Sequence, residues 1–148
     1  MSGFSLDSSC MIAAACSWHE RHARVLASIE RRLDRGARLV VAAHALLETY
    51  AVLTRLPPPH RLAPADAWAL VNANFVESAQ VVAAESESYI ALLSNLADAG
   101  VGGGRSYDAL IAATLSDLQL EFLTLNPRHF DRVHAGLSIV DATQEGAS

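Results

Sequence analysis

The chain contains no lysine, and all eleven of its basic residues are arginine. Its formal net charge of -5 argues against a protein that coats nucleic acid by electrostatic attraction alone. A nuclease is not excluded, because metal ions at its site would supply positive charge. The sequence also lacks any run of about eighteen apolar residues, so we expect no membrane partner.

Cysteine is scarce as well. Cys10 and Cys16 are the only two cysteines, and neither has a companion pair with the spacing of a metal site. Buried thiols in a reducing compartment are the simpler interpretation. No basic segment precedes a continuous apolar stretch, as a secretion signal would require. We therefore expect a cytoplasmic protein, folded as a single domain over residues 1–148.

Five short apolar runs, rich in β-branched residues, alternate with longer helical patterns. We expect strands at 4–6, 39–42, 81–83, 122–125 and 137–140. Such alternation is typical of an α/β fold with a mostly parallel five-stranded sheet and helices on both faces.

Five helices are expected around this sheet. Ser17 and Glu20 have the spacing of a capping box, and the helix after them would end at Gly36. One face of that helix carries His22, Val25, Leu26, Ile29 and Leu33. The other four helices are expected at about 45–56, from Pro64 onward, at about 87–97 and at about 106–117.

Four polar residues are expected at the carboxyl edge of the sheet. Asp7 and Asn126 each follow a predicted strand, whereas Glu48 and Asp108 lie near the N-termini of helices. In an alternating parallel fold these positions converge on one edge, where open α/β sheets bind ligands. Glu20, Glu85 and Glu87 should lie near the same edge. Asp7, Glu48 and Asp108 differ from the last two in being embedded in apolar sequence.

A carboxylate at the start of a helix can simply complement the helix dipole, and for any one of these acids that explanation is equally good. Three carboxylates in one crevice, however, repel each other unless they are protonated or neutralised. No lysine is available to neutralise them. Hard divalent ions prefer carboxylate oxygens, whereas zinc usually recruits His or Cys. The sequence therefore predicts a Mg²⁺ or Mn²⁺ site.

The segments LDSS, ALLETY, YDALIAAT and FLTLNPRHF, which extend in this order from residue 4 toward 140, resemble those of the PIN-domain ribonucleases. The resemblance is greatest to the VapC toxins of VapBC-type toxin-antitoxin systems. It implies a PIN-like three-layer α/β/α sandwich. It also implies a metal-dependent endoribonuclease toxin that hydrolyses phosphodiester bonds, in transfer or ribosomal RNA.

The resemblance also assigns roles to individual residues. Asp7, Glu48 and Asp108 match the three acids that hold one or two Mg²⁺ or Mn²⁺ ions. Asn126 stands at a fourth position that is often Asp, and its uncharged amide leaves the second ion in question. Ser9 matches a small residue that supports the site. The resemblance further implies a homodimer and a small antitoxin that neutralises it.

The expected reaction is in-line hydrolysis that leaves a 5′-phosphate and a 3′-hydroxyl, with the metal lowering the pKa of a bound water. The sequence does not choose which carboxylate orients or deprotonates that water. Arg105, Arg128, His129 and Arg132 flank the site motifs and are candidate RNA contacts. Solvated loop residues are an equally good explanation for each of them.

Other classes of site fit less well. Receiver domains and haloacid-dehalogenase-type phosphatases also place Asp after the first strand, but both need a lysine near the phosphate. The glycines at 102–104 are not followed by the Lys-Ser or Lys-Thr of a P-loop. His44 and Glu48 have the spacing of a metal pair but no third ligand nearby in sequence. A catalytically weakened PIN-fold module that binds RNA or protein remains the alternative, supported by Asn126.

Overall fold

The computed structural model describes residues 2–130 and 136–144. The strands of this part of the chain are β1 (Gly3–Leu6), β2 (Arg38–Ala42), β3 (Gln80–Val82), β4 (Leu120–Thr124) and β5 (Leu137–Asp141). Its α-helices are α1 (Ser8–Ala15), α2 (His22–Asp34), α3 (Ala43–Leu53), α4 (Pro64–Phe75), α5 (Ser86–Ala99) and α6 (Arg105–Leu115). None of these helices is both long and apolar enough to span a membrane.

The five strands form one parallel sheet in the order β3-β2-β1-β4-β5. Phe4 in the central strand pairs with Leu39 of β2 and Glu121 of β4. The sequence prediction of a parallel five-stranded α/β fold is therefore confirmed. Because all strands point the same way, the residues that follow β1 and β4 emerge at the same edge, on neighbouring strands.

The central strands are apolar along nearly their whole length. Phe4, Leu6, Val41, Phe122 and Leu123 have no exposed surface. Strands of this kind have helices covering both faces, so side chains on both sides of the sheet are buried. This core fixes the ends of the strands at the carboxyl edge of the sheet and so positions the residues that follow each strand.

The segment before α2 differs from the prediction. The helix begins at His22, and its N-cap residue, Arg21, makes no side-chain capping bond. The backbone N–H of Arg21 instead donates to Nδ1 of His19, at 3.1 Å. The capping box of Ser17 and Glu20 was therefore wrong, because the chain still forms a turn at these residues.

The buried face of α2 was only partly predicted. Val25 and Ile29 are buried, but Leu33 is 48% exposed and Arg32 is buried in its place. The Arg32 guanidinium forms two hydrogen bonds with the Glu121 carboxylate of β4, Nε to Oε1 at 3.2 Å and Nη2 to Oε2 at 3.0 Å. Because of this ion pair, Arg32 occupies a buried position on the helix face where hydrophobic periodicity predicted Leu33.

The helix α1 was not among the five predicted helices, and it follows β1 after a single residue, Asp7. Helices α3 and α6 begin and end one to three residues before the predicted positions. Gly36 adopts a φ of +82°, as expected for a left-handed residue after a helix. The helix starts that carry the site acids lie within a turn of their predicted positions.

Candidate active site

Asp7 occupies the junction between β1 and α1. Its Oδ1 accepts hydrogen bonds from Oγ of Ser9, at 2.6 Å, and from the backbone N–H of Cys10, at 2.9 Å. Its Oδ2 accepts a short hydrogen bond from the hydroxyl of Thr124. The carboxyl group is therefore the side-chain cap of α1, held in one orientation by three donors, and Asp7 as a whole is only 5% exposed.

The two hydroxyls that donate to Asp7 also accept hydrogen bonds from the loop after β4. Oγ of Ser9 accepts from the backbone N–H of Leu125, at 3.2 Å. Oγ1 of Thr124 accepts from the backbone N–H of Asn126, at 2.9 Å. Each hydroxyl thus connects the loop to the Asp7 carboxylate. Ser9, the residue predicted to support the site, contacts Asp7, and the sequence did not predict the contact of Thr124.

Glu48 lies on α3 beside the same edge of the sheet. Its Oε1 is buried without a hydrogen-bond partner and lies 3.3 Å from Nε2 of His44. Burial, followed by the negative charges of Asp108 and Asp7, raises the pKa of Glu48 to about 7. Arg55 and Ser8 lower the pKa of Glu48, but they do so more weakly. A carboxyl group in this environment is therefore easily protonated when no cation is nearby.

Asp108 lies in the first turn of α6 and is also partly buried. Its Oδ2 is 3.4 Å from Nδ1 of His129, which belongs to the short helical turn Pro127–His129 after β4. Burial raises the pKa of Asp108, while the charges of His129 and Arg105 lower it. Two of the candidate RNA contacts therefore lie close enough to this acid to affect its charge.

The three acids form one electrostatic group. Burial raises the pKa of Asp7, and the nearby charge of Asp108 adds to that effect. Glu48 is affected by both of the other acids. Three separate elements, the β1–α1 junction, α3 and α6, thus place their acids close enough for each charge to affect a neighbouring acid. This is the convergence that the alternation of strands and helices predicted.

The remaining predicted residues lie differently. Asn126 is exposed, and its side chain makes no hydrogen bond within the part of the chain that the structure describes. Arg128 is exposed in the turn after β4. Arg132 lies outside the described residues. Asn126 therefore contributes its backbone to the network around Asp7, through Thr124, rather than its amide group.

A second feature that the sequence did not reveal is a pair of rings beside the acids. His44 of α3 and Tyr107 of α6 are stacked, with ring centroids 5.1 Å apart and an angle of 20° between the planes. Burial lowers the pKa of His44. The pair joins the two helices that carry Glu48 and Asp108. In the sequence, the only hint of this contact is that His44 and Tyr107 each lie within about one helical turn of a site acid.

The carboxyl groups suit a hard divalent cation. Glu48 presents a buried oxygen without a partner, and the pKa of every acid is raised by burial, a penalty that a cation would offset. Among residues 2–130 and 136–144, no three His, Cys, Asp or Glu side chains are close enough to enclose one ion. Mg²⁺ keeps several of its waters and often uses only one or two carboxylates, so the residues fit this ion.

Comparison with known proteins agrees with this geometry. A family model, the PIN domain, matches residues 5–136. Ribonuclease VapC40 of Mycobacterium tuberculosis is 40% identical over 122 residues, which cover 82% of this chain and 85% of that protein. Ribonuclease VapC27 of the same species is 35% identical over 127 residues, covering 86% and 87%.

Among solved structures, the DNA-bound VapBC complex from Salmonella typhimurium contains a chain with the same fold. The TM-score is 0.67 at 24% sequence identity, with 96% of this chain and 99% of that chain covered. The fold, the acidic edge and the family model together define the class, and the chain belongs to the PIN-domain family. Within that family it is VapC-like, as its sequence motifs indicated.

Proposed function

We propose that this protein is a Mg²⁺- or Mn²⁺-dependent endoribonuclease toxin, folded as a single PIN domain. The observation that carries the proposal is the convergence of Asp7, Glu48 and Asp108, all with raised pKa values, at one edge of the sheet. The names of the ribonuclease relatives support the same activity. By the resemblance, transfer and ribosomal RNA are the first substrates to test.

A bound divalent cation would lower the pKa of a water molecule and stabilise negative charge on the scissile phosphate. The attack of water on phosphorus forms a new P–O bond, breaks the bond to the 3′ oxygen and leaves a 5′-phosphate. The departing 3′ oxygen takes up a proton and becomes a hydroxyl.

The residues of the site would act in distinct ways. Asp7 is held in a fixed orientation by its three donors and is suited to binding the cation. Glu48 has a buried oxygen that makes no hydrogen bond, so it would be available to the cation or to the attacking water. Arg105 and His129, beside Asp108, would hold the phosphates on either side of the cleaved bond.

We also propose two protein partners. The VapBC complex that contains a chain of the same fold supports a small antitoxin as one partner. A homodimer is supported by α5, which has no buried residue and exposes Ile90 by 68% and Leu93 by 62%. A second copy of this chain would cover these apolar side chains.

Cleavage of total transfer and ribosomal RNA by the purified protein tests the proposal. We expect cutting with Mn²⁺ or Mg²⁺, none with EDTA, and 5′-phosphate ends on the products. Asp7→Asn and Asp108→Asn should each lower the rate at least about 100-fold, because each removes a charge that the cation needs.

Asp117→Asn is the matched control, because Asp117 is exposed in the turn after the far end of α6. It should cut at the rate of the unsubstituted protein. RNA that is bound but never cut would contradict the enzyme and favour the catalytically weakened binding module. Cutting that persists in EDTA or in both site variants would exclude the acidic edge as the active site.

A further inference from the structure

Tyr107 is 53% exposed although its ring is stacked against another ring. His44 contacts it with nearly parallel planes, so one face of the tyrosine is covered and a large part of the ring remains open to solvent. Tyrosine rings at a protein surface usually have one end or face in contact with the protein and the rest available for a ligand. This ring is therefore an exposed flat surface with a rigid support.

The ring is also close to the proposed reaction centre. Tyr107 directly precedes Asp108 in the first turn of α6, and its partner His44 lies 3.3 Å from the Glu48 carboxylate. Arg105, two residues before Tyr107, is near enough to lower the pKa of Asp108. A phosphate bound at the acids would thus have a cation and a flat aromatic surface beside it.

We propose that Tyr107, supported by His44, stacks a nucleobase of the RNA strand next to the phosphate that is cleaved. This inference rests on the proposed function, since it assigns a base-binding subsite to the same RNA site. Stacking on an aromatic ring tolerates any base, because every base has a flat π face. The subsite would therefore select single-stranded or unstacked nucleotides rather than a particular sequence.

The structure also favours a base over an apolar protein segment as the ligand. The surroundings of the ring are charged, with Asp108 and Arg105 within two residues and Glu48 contacting its partner ring. An apolar peptide would leave these charges without water, whereas a nucleotide pairs its phosphate with the arginine and its base with the ring.

The test measures RNA binding without cleavage, in the Asp7→Asn background. The probe is a fluorescein-labelled pool of short single-stranded RNA of random sequence, followed by anisotropy. A second pool has the same sugar-phosphate backbone but no bases. Tyr107→Leu should weaken binding of the first pool by about 5- to 150-fold, the range for loss of one stacked base. Binding of the abasic pool should not change.

Two further variants keep the proposal falsifiable. Tyr107→Phe preserves the flat ring, so it should bind the RNA pool within about twofold of the Asp7→Asn parent. Trp18→Leu removes another exposed ring, which is stacked on His60 with centroids 4.0 Å apart but is not next to a site acid. It should leave binding unchanged.

Equal binding by Tyr107→Leu and its parent would overturn the proposal. So would an equal loss of the abasic pool, because that result would show a general disturbance of the site. The parallel cleavage assay separates this proposal from the nuclease. Base-dependent binding without any cleavage would retain the stacking site and reject the nuclease. If the protein cleaves RNA but Tyr107→Leu does not change RNA binding, the nuclease is retained and the stacking site is rejected. If the protein binds no RNA at all, the stacking site is rejected.

Discussion

Asp7 and Glu48 show how differently two acids of one site are held. Asp7 accepts three hydrogen bonds, which favour its charged form against the cost of burial. Glu48 has a buried oxygen that makes no hydrogen bond, and the charges of the other two acids add to the burial penalty. The first acid is fixed in place, whereas the second can gain or lose a proton near neutral pH.

Thr124→Val tests the anchoring of Asp7. Valine has nearly the same shape as threonine but cannot donate to Oδ2 of the buried carboxyl group. We expect the free energy of unfolding to fall by about 1.5–3 kcal/mol, the usual value of a hydrogen bond to a charged group. Urea unfolding followed by circular dichroism measures this change.

Thr114→Val is the matched control for that experiment. The Thr114 hydroxyl is also partly buried, but it donates to the carbonyl of Leu110 within its own helix, at 2.7 Å. Its loss should change the free energy of unfolding by no more than about 0.5 kcal/mol. If both threonine variants were equally destabilised, the bond to Asp7 would have no special importance.

Glu48 predicts a pH dependence of stability in the absence of metal. Its pKa is raised from 4.5 to about 7 in the folded protein, so between these values the folded state holds a proton that the unfolded state has released. Stability should therefore fall as the pH rises through this range. For Glu48 the loss amounts to at most about 3 kcal/mol. Glu48→Gln cannot ionise and should lack this part of the decline.

Thermal unfolding in EDTA at pH values from 4.5 to 8 measures this effect. The unsubstituted protein should lose stability relative to Glu48→Gln across the range, and Mg²⁺ should restore stability more at pH 8 than at pH 5. Parallel pH profiles for the two proteins would show that Glu48 ionises at its ordinary pKa.

For individual residues, the acids of the site could be predicted from the sequence, but most of the residues that contact them could not. Asp7, Glu48 and Asp108 were recognised because a charge in an apolar segment needs an explanation. The role of Thr124 and the stack of Tyr107 on His44 depend on contacts between residues far apart in the sequence. A single threonine in an apolar strand carries no local signal of such a contact.

Among the elements, α1 was missed because its signal is weak. It has only eight residues, mostly small and apolar, and shows no amphipathic periodicity. Its start is defined by Asp7, whose capping role is hidden by its role as a site acid. The capping box before α2 failed for the opposite reason, since Ser17 and Glu20 have the right spacing but lie in a turn.

Gly36→Ala tests the connection between α2 and β2. Gly36 has a φ of +82°, and no atom lies within 4 Å of an added Cβ, so the cost comes from the backbone conformation alone. We expect a loss of about 1–2 kcal/mol in the free energy of unfolding. Chemical denaturation measures it.

Gly102→Ala provides the comparison. An added Cβ at Gly102 also meets no atom within 4 Å, and its φ is outside the left-handed range. Alanine there should be neutral or slightly stabilising, because it reduces the freedom of the unfolded chain. A loss at Gly102 as large as that at Gly36 would mean that φ is not the cause.

For the whole molecule, the parallel sheet was predictable because alternation of short apolar runs and longer helices leaves few topologies. The faces of the outer helices were less predictable. Helix α5 exposes apolar residues, although hydrophobic periodicity would predict that they are buried in the core of the same chain. An apolar helix face that packs against a partner has the same sequence pattern as one that packs against the core of its own chain.

Ile90→Asp tests the proposed homodimer. Sedimentation should show the unsubstituted protein at twice the mass of one chain and this variant at the mass of one chain, because a charge at the centre of an apolar contact is costly. Leu33→Asp changes an exposed leucine on α2 and should leave the dimer intact. A monomer in all three samples would reject the dimer.

Titration of Mn²⁺ into the metal-free protein, followed by the electron paramagnetic resonance signal of free Mn²⁺, tests directly whether the acids at the edge of the sheet bind one cation. We expect the unsubstituted protein and Asp117→Asn to remove the ion from solution equally well. Asp7→Asn and Asp108→Asn should bind it at least about 10-fold more weakly, since each loses a charged oxygen ligand. Equal binding by all four proteins, or none by any, would show that these acids do not form one cation site.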